Sequence, residues 1–316
     1  MGLTLAPSAK NPDNHYLMIT TLSGSNGFLL KAELRRVVGG FVAEHTDMGL
    51  DRIDGEEAEY DRIRESLESL PFLASRKLVV LRAPGANKQF VENVEQLLGN
   101  LPETTDVIIH EPKLDKRSSY YKYLKKHTEY KEFNELDEYG LAKWITDQAD
   151  VSQADAKYLV ERVGANQQLL SNEVAKLVAY STKITRQTID LLTEPNPQST
   201  IFQLLDSAFS GNHRQTLKLY GEQRASKVEP QQIIAMLGWQ LHILSVIKTA
   251  GERSDAQIAS GAKINPYVVG KSRGITRGLT LQRLKELVNN LMKLDLQTKT
   301  TAIDADDGVQ AYLLTI

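Results

Sequence analysis

In the first part of the chain, short apolar runs alternate with longer periodic segments. Lys77-Leu-Val-Val-Leu-Arg82 and Asp106-Val-Ile-Ile-His110 are brief and β-branched, which predicts buried strands, and Tyr16–Leu22 predicts another. Weaker strand signals lie at Met48–Ile53 and Tyr130–Phe133. Between them, Phe28–Glu44, Glu56–Leu70, Gln89–Gly99 and Ser119–His127 repeat apolar residues at helical spacing. Strand and helix in alternation imply parallel pairing, with right-handed crossovers and helices covering the sheet.

After about Leu136 the strand signals stop. Leu141–Ala149, Gln153–Val163 and Gln167–Tyr180 are helical patterns punctuated by Asp150-Val-Ser152 and Gly164. Thr193–Gln198 holds two prolines and an asparagine and reads as a loop. Pro230–Ala250 is apolar nearly all round, so that helix must be buried on several sides. Leu281, Leu284, Leu287, Val288, Leu291 and Leu294 form a stripe on a further helix, too short for a coiled coil. The expected organisation is a flexible tail at 1–15, an α/β domain at 16–138, a small helical domain at 139–208 and a larger helical domain at 209–316.

Composition narrows the chemistry more than it directs it. With 316 residues, 41% hydrophobic and 25% charged, the chain fits two or three ordinary domains. A net charge of -2 leaves no global field towards nucleic acid or anionic lipid, so any DNA contact must be local. Cysteine is absent, and the six histidines are scattered without metal-ligand spacing, so no metal or cofactor is expected. No apolar run approaches the ~18 residues of a membrane span and the start lacks a secretory pattern, so a cytoplasmic protein is expected.

An α/β domain followed by a helical lid is the plan of RecA/AAA+-like ATPases, whose first strand leads into a phosphate loop. Here that turn is Leu22-Ser-Gly-Ser-Asn-Gly-Phe-Leu-Leu-Lys31. A working loop needs backbone N–H groups around the phosphates, a lysine on their charge and a hydroxyl on Mg²⁺. Gly24 and Gly27 are too close together, and Phe28-Leu29 stand where lysine and serine or threonine would follow. After Leu78-Val-Val-Leu81 comes Arg82, a cation where an acidic pair would hold the metal. A tight turn before a helix is the plainer reading of the glycines.

Several segments then resemble the delta subunit family of the bacterial DNA polymerase III clamp loader. The most specific is Ser69-Leu-Pro-Phe-Leu-Ala-Ser-Arg-Lys-Leu-Val-Val-Leu81; others are the glycine turn with Phe28-Leu29, Lys113–Ser118, Gly164–Leu177, Ile201–Asp206 and Asn265-Pro-Tyr-Val268. The resemblance implies an AAA+-like five-stranded parallel sheet without an ATP site, followed by two all-helical domains, the last joining a collar of loader subunits. It also implies a non-catalytic subunit that binds and opens the sliding clamp by inserting two adjacent hydrophobic residues. By position these are Phe72 and Leu73, with Leu70 and Pro71 before them. The implied partners are the clamp (beta subunit), the gamma/tau and delta-prime types of loader subunit, and primed DNA within the assembly. Gln168 stands where an active relative's lid helix would place an arginine on the γ-phosphate.

Pattern alone allows Leu70–Leu73 either to close the helix onto the sheet or to face outward as an anchor. Lys113, Lys116, Arg117 and Lys122, with Lys125, Lys126 and interleaved Tyr120, Tyr121 and Tyr123, are candidates for DNA contact; a solvated helix face is the simpler explanation. Asp304, Asp306 and Asp307 read as a helix cap before a cation site. The rival functions are an active AAA+ ATPase with an aberrant loop and a helical DNA-binding adaptor.

Overall fold

The computed structural model describes residues 19–316; the expected tail and the first residues of the expected opening strand lie outside the described residues. The chain divides after Glu135 into two compact units, an α/β unit and a helical unit running from Leu136 to Ile316.

The α/β unit holds strands β1 (Ile19–Ser23), β2 (Leu50–Asp54), β3 (Lys77–Arg82), β4 (Thr105–Glu111) and β5 (Glu129–Glu132). Its helices are α1 (Gly27–His45), α2 (Tyr60–Glu68), α3 (Lys88–Gly99) and α4 (Ser119–His127). The strands form one five-stranded sheet in the order β2-β3-β4-β1-β5, with every pairing parallel. Period-two alternation splits β3 and β4 between two cores. Val79, Leu81, Val107 and Ile109 pack with Ile63, Leu67, Phe90, Val94 and Leu124 of α2, α3 and α4. Leu78, Val80 and Ile108 pack on the other face with Leu30, Val38 and Phe41 of α1. The central strands are thus apolar throughout because both of their faces are covered.

Local chemistry sets the helix ends. Asn26, Asn87 and Ser118 cap α1, α3 and α4 by accepting the backbone N–H of Leu29, Phe90 and Tyr121, each worth about 1 kcal/mol. Helix α2 is shorter than its periodic pattern. Asp54 holds the preceding residues in a turn, its side chain accepting from Glu56 N–H at 3.1 Å and its carbonyl from Ala58 N–H at 2.9 Å. At the other end Pro71 disfavours helix at Leu70, and the backbone is already extended at Ser69.

The helical unit contains α5 (Glu138–Thr146), α6 (Gln153–Val163), α7 (Gln167–Tyr180), α8 (Arg186–Leu192), α9 (Pro197–Phe209), α10 (His213–Ala225), α11 (Pro230–Thr249), α12 (Asp255–Ala262), α13 (Pro266–Arg277), α14 (Leu281–Thr300) and α15 (Ala305–Leu314). Contrary to the expectation that strands end near Leu136, β6 (Asp150–Val151) pairs in parallel with β7 (Lys183–Ile184). Two residues are too few to carry a period. The proline-containing loop is shorter than expected, because Pro197 begins α9, a position that needs no N–H donor.

One core joins α5–α8 with Tyr267 of α13. A second is built around α11, whose Ile233, Ile234, Leu237, Leu241 and Leu244 meet Leu284, Leu287, Leu291 and Leu294 of α14 and Val309 and Leu313 of α15. Ile243 and Ile247 of α11 face a third cluster with Ile258 and Val269. This explains the apolar circumference of α11.

Candidate functional site

The loop from Ser69 to Arg76 leaves α2 and enters β3, so it lies at the amino-terminal edge of the parallel sheet. Its base is held at both ends. The ammonium of Lys77 donates to the Ser66 carbonyl at 2.7 Å and to Ser69 Oγ at 2.9 Å, and burial lowers its pKa. Arg76 makes a two-pronged bond to Asp106 at 2.9 and 3.3 Å. Between these clamps the apex is open: Phe72 is 95% exposed, Leu70 70% and Leu73 69%. Pro71, half-buried, fixes its own φ between them. The four expected residues therefore lie on one outward-facing loop, with Leu70, Phe72 and Leu73 exposed and not closed onto the core.

The glycine turn lies at the opposite, carboxyl-terminal edge, where open α/β sheets bind their ligands. Here the chain's own backbone fills it. Gly24 has φ 122°, and a Cβ there would come within 2.0 Å of the Phe133 carbonyl oxygen, so only glycine fits. The Asn26 N–H donates to that carbonyl at 2.9 Å, and the Asn26 side chain accepts from Leu29 N–H at 3.0 Å. Two N–H groups of the turn, those of Asn26 and Leu29, are thus already bonded within the chain. At the end of β3, Arg82 pairs with Asp54 at 2.7 Å. In the helical unit Gln168 lies exposed in the first turn of α7 and donates to Asn172 at 3.2 Å.

The basic stretch is less free than its sequence suggests. Lys116 is paired with Glu132 at 2.6 Å and Arg117 with Asp115 at 3.2 Å. Lys113 and Lys122 are exposed without an ion pair among the described residues. Tyr120 is buried, and its hydroxyl donates at 3.3 Å to Glu111, a buried carboxyl whose pKa burial raises. It cannot stack a base. Tyr121 lies edge-on to Tyr130, with Lys125 over its ring.

Asp304 caps α15, accepting from the N–H groups of Asp306 and Asp307 at 2.8 and 3.1 Å. Asp306 binds Arg224 at 2.7 Å and the Tyr220 hydroxyl at 2.6 Å. Among the described residues no group of three or more potential ligands is placed to hold a metal ion, and no helix is long and apolar enough to cross a membrane. Among the exposed apolar residues that the sequence pattern did not place on the surface is Met48, 70% exposed. The pattern assigns it to a strand, but it sits in a 3₁₀ turn, Asp47–Gly49, before β2.

A parallel five-stranded sheet of this order, with a glycine turn lacking phosphate-binding side chains and a long helical continuation, defines the AAA+-like class. Residues 21–134 match the family model for the DNA polymerase III delta subunit, and residues 198–316 match the model for that subunit's C-terminal domain. The chain belongs to the DNA polymerase III delta subunit family, part of the clamp loader of DNA replication. It is 26% identical to DNA polymerase III subunit delta of Bacillus subtilis over 93% of this chain and 91% of that protein. A subunit delta sequence from Aquifex aeolicus is 21% identical over 89% and 86%. The solved structure of the Bacillus subtilis clamp loader delta protein superposes with a TM-score of 0.79 at 24% identity, covering 94% of each chain, which fixes the fold.

Proposed function

We propose that the chain binds and opens the sliding clamp, with Phe72 and Leu73 as the inserted anchors and Leu70 and Pro71 shaping the loop that presents them. The observation that carries this reading is the 95% exposure of Phe72 on a loop whose base is tied down. A preformed aromatic anchor loses little freedom on docking and gains its full burial. Opening requires tighter binding to the open clamp than to the closed one; the chain needs no chemical step of its own for that. The occupied glycine turn and the missing lysine support a subunit that does not hydrolyse ATP, with nucleotide-driven changes in neighbouring subunits exposing or hiding the grip.

The helical unit is assigned to assembly with the gamma/tau and delta-prime types of subunit. Leu281, Val288, Met292 and Leu296 lie exposed along α14 and support that assignment. Where primed DNA meets the α/β unit, Lys113 and Lys122 are the proposed contacts, since Lys116 and Arg117 are already paired.

The test is surface plasmon resonance against the cognate clamp without nucleotide. The Phe72→Ala/Leu73→Ala pair should weaken binding by at least about a hundredfold, given ~1.5–3 kcal/mol for each buried side chain. Circular dichroism should be unchanged. A wild-type chain that does not bind the clamp overturns the reading.

A further inference from the structure

The loop anchors leave Met48 unexplained. It is 70% exposed, and it belongs to a different segment, the 3₁₀ turn that joins α1 to β2. We propose that Met48 is a further anchor of the same clamp-binding surface, an inference that rests on the reading above.

Three features place the turn against the loop. First, β2 and β3 are neighbours with Leu50 opposite Leu78, so the segments that precede them leave the same edge of the sheet side by side. Second, the backbones are in close contact: a Cβ on buried Gly49 would come within 2.3 Å of the Arg76 carbonyl oxygen and 3.1 Å of the Ala74 Cβ. Met48 and Leu73 are the chain neighbours of Gly49 and Ala74, so each anchor lies one residue from this contact. Third, Thr46 enters the turn at φ 68° and ψ 169°, a region that residues with a side chain rarely adopt. That backbone reverses the chain after α1 and leaves Met48 outside both neighbouring cores.

The chemistry suits an edge anchor. A thioether on three rotatable bonds moulds itself to an irregular apolar surface, whereas the aromatic ring of Phe72 demands a defined pocket. Exposed Asp47 beside it supplies a polar rim. Phe72 would then set the position of the grip, and Met48 would widen it across two segments.

The experiment is clamp binding by surface plasmon resonance for Met48→Ala, Met48→Leu and Met48→Lys beside wild type and the Phe72→Ala/Leu73→Ala pair. Met48→Ala is expected to weaken binding on the order of tenfold, chiefly through faster dissociation. Met48→Leu should stay within about threefold of wild type, and Met48→Lys should fall below the alanine variant. If the Phe72/Leu73 pair abolishes binding while Met48→Ala and Met48→Lys bind as wild type, this proposal alone fails. If wild type does not bind the clamp, both readings fail. Because the side chain is exposed, each variant should keep the wild-type circular dichroism spectrum, so a loss of binding reports on the surface.

Discussion

A phenylalanine left 95% in solvent forgoes about 1.5–3 kcal/mol that burial would supply, and Leu70 and Leu73 forgo more. From the apolar pattern alone, Leu70–Leu73 is as easily read as a plug between α2 and the sheet. What places it outside is the polar chemistry at its ends, the Lys77 and Arg76 bonds, together with Pro71. Asp106 lies on a different strand from Arg76, and no apolar pattern records the Lys77 bonds to Ser66 and Ser69, which is why the exposure was not legible in the sequence. Met48 was not legible at all, since one apolar residue between Asp47 and Gly49 carries no period. Elsewhere in this unit, Glu33 ties α1 to β5 by accepting from Arg36 at 2.7 and 2.8 Å and from Lys131 at 3.0 Å. Hydrogen bonding to Arg36, opposed by burial and reinforced by Lys131, lowers its pKa to about 2. A carboxyl depressed in the fold stabilises it fully above the ordinary glutamate range and loses that contribution as pH falls towards about 2. Glu33→Gln should therefore cost about 1 kcal/mol at neutral pH, and the gap from wild type in urea midpoint should close as the pH is taken down through that window.

Among the elements, the long periodic ones were readable and the short ones were not. Helices α3, α4, α6 and α7 lie within a residue of their patterns, because caps such as Ser118, Ser152 and Asn166 stand beside the first apolar repeat. Strands β2 and β5 gave weak signals because they are the sheet's edges, covered less fully than β3 and β4. Helix α14 shows what a stripe conceals. Leu284, Leu287, Leu291 and Leu294 are buried against α11 and α15, but Leu281 and Val288, which belong to the same sequence stripe, are exposed with Met292 and Leu296. The helix therefore has two apolar faces, and among the described residues only one of them has a partner. Met292→Glu with Leu296→Glu should leave the thermal unfolding midpoint within a few degrees of wild type and prevent incorporation into a reconstituted loader on gel filtration. Leu287→Ala should instead cost about 2–5 kcal/mol, since it opens a cavity in the second core.

At the scale of the molecule, the strand-and-helix alternation and the shift to helices were both visible in the pattern. The order β2-β3-β4-β1-β5 was not, because which strands become neighbours depends on crossovers that no local pattern records. The outcome is a sheet whose carboxyl edge is closed by its own backbone at Gly24 and Asn26, while its amino edge is left open at Phe72. The open edge bears on solubility. Three large apolar side chains on one loop are as adhesive towards a second copy of the chain as towards any other surface. Light scattering of the purified chain should therefore rise with concentration well before that of Phe72→Ser does. On the proposed reading, in which the clamp covers this loop, a cell that makes the chain in excess of the clamp is expected to accumulate aggregates unless the two are synthesised in balance.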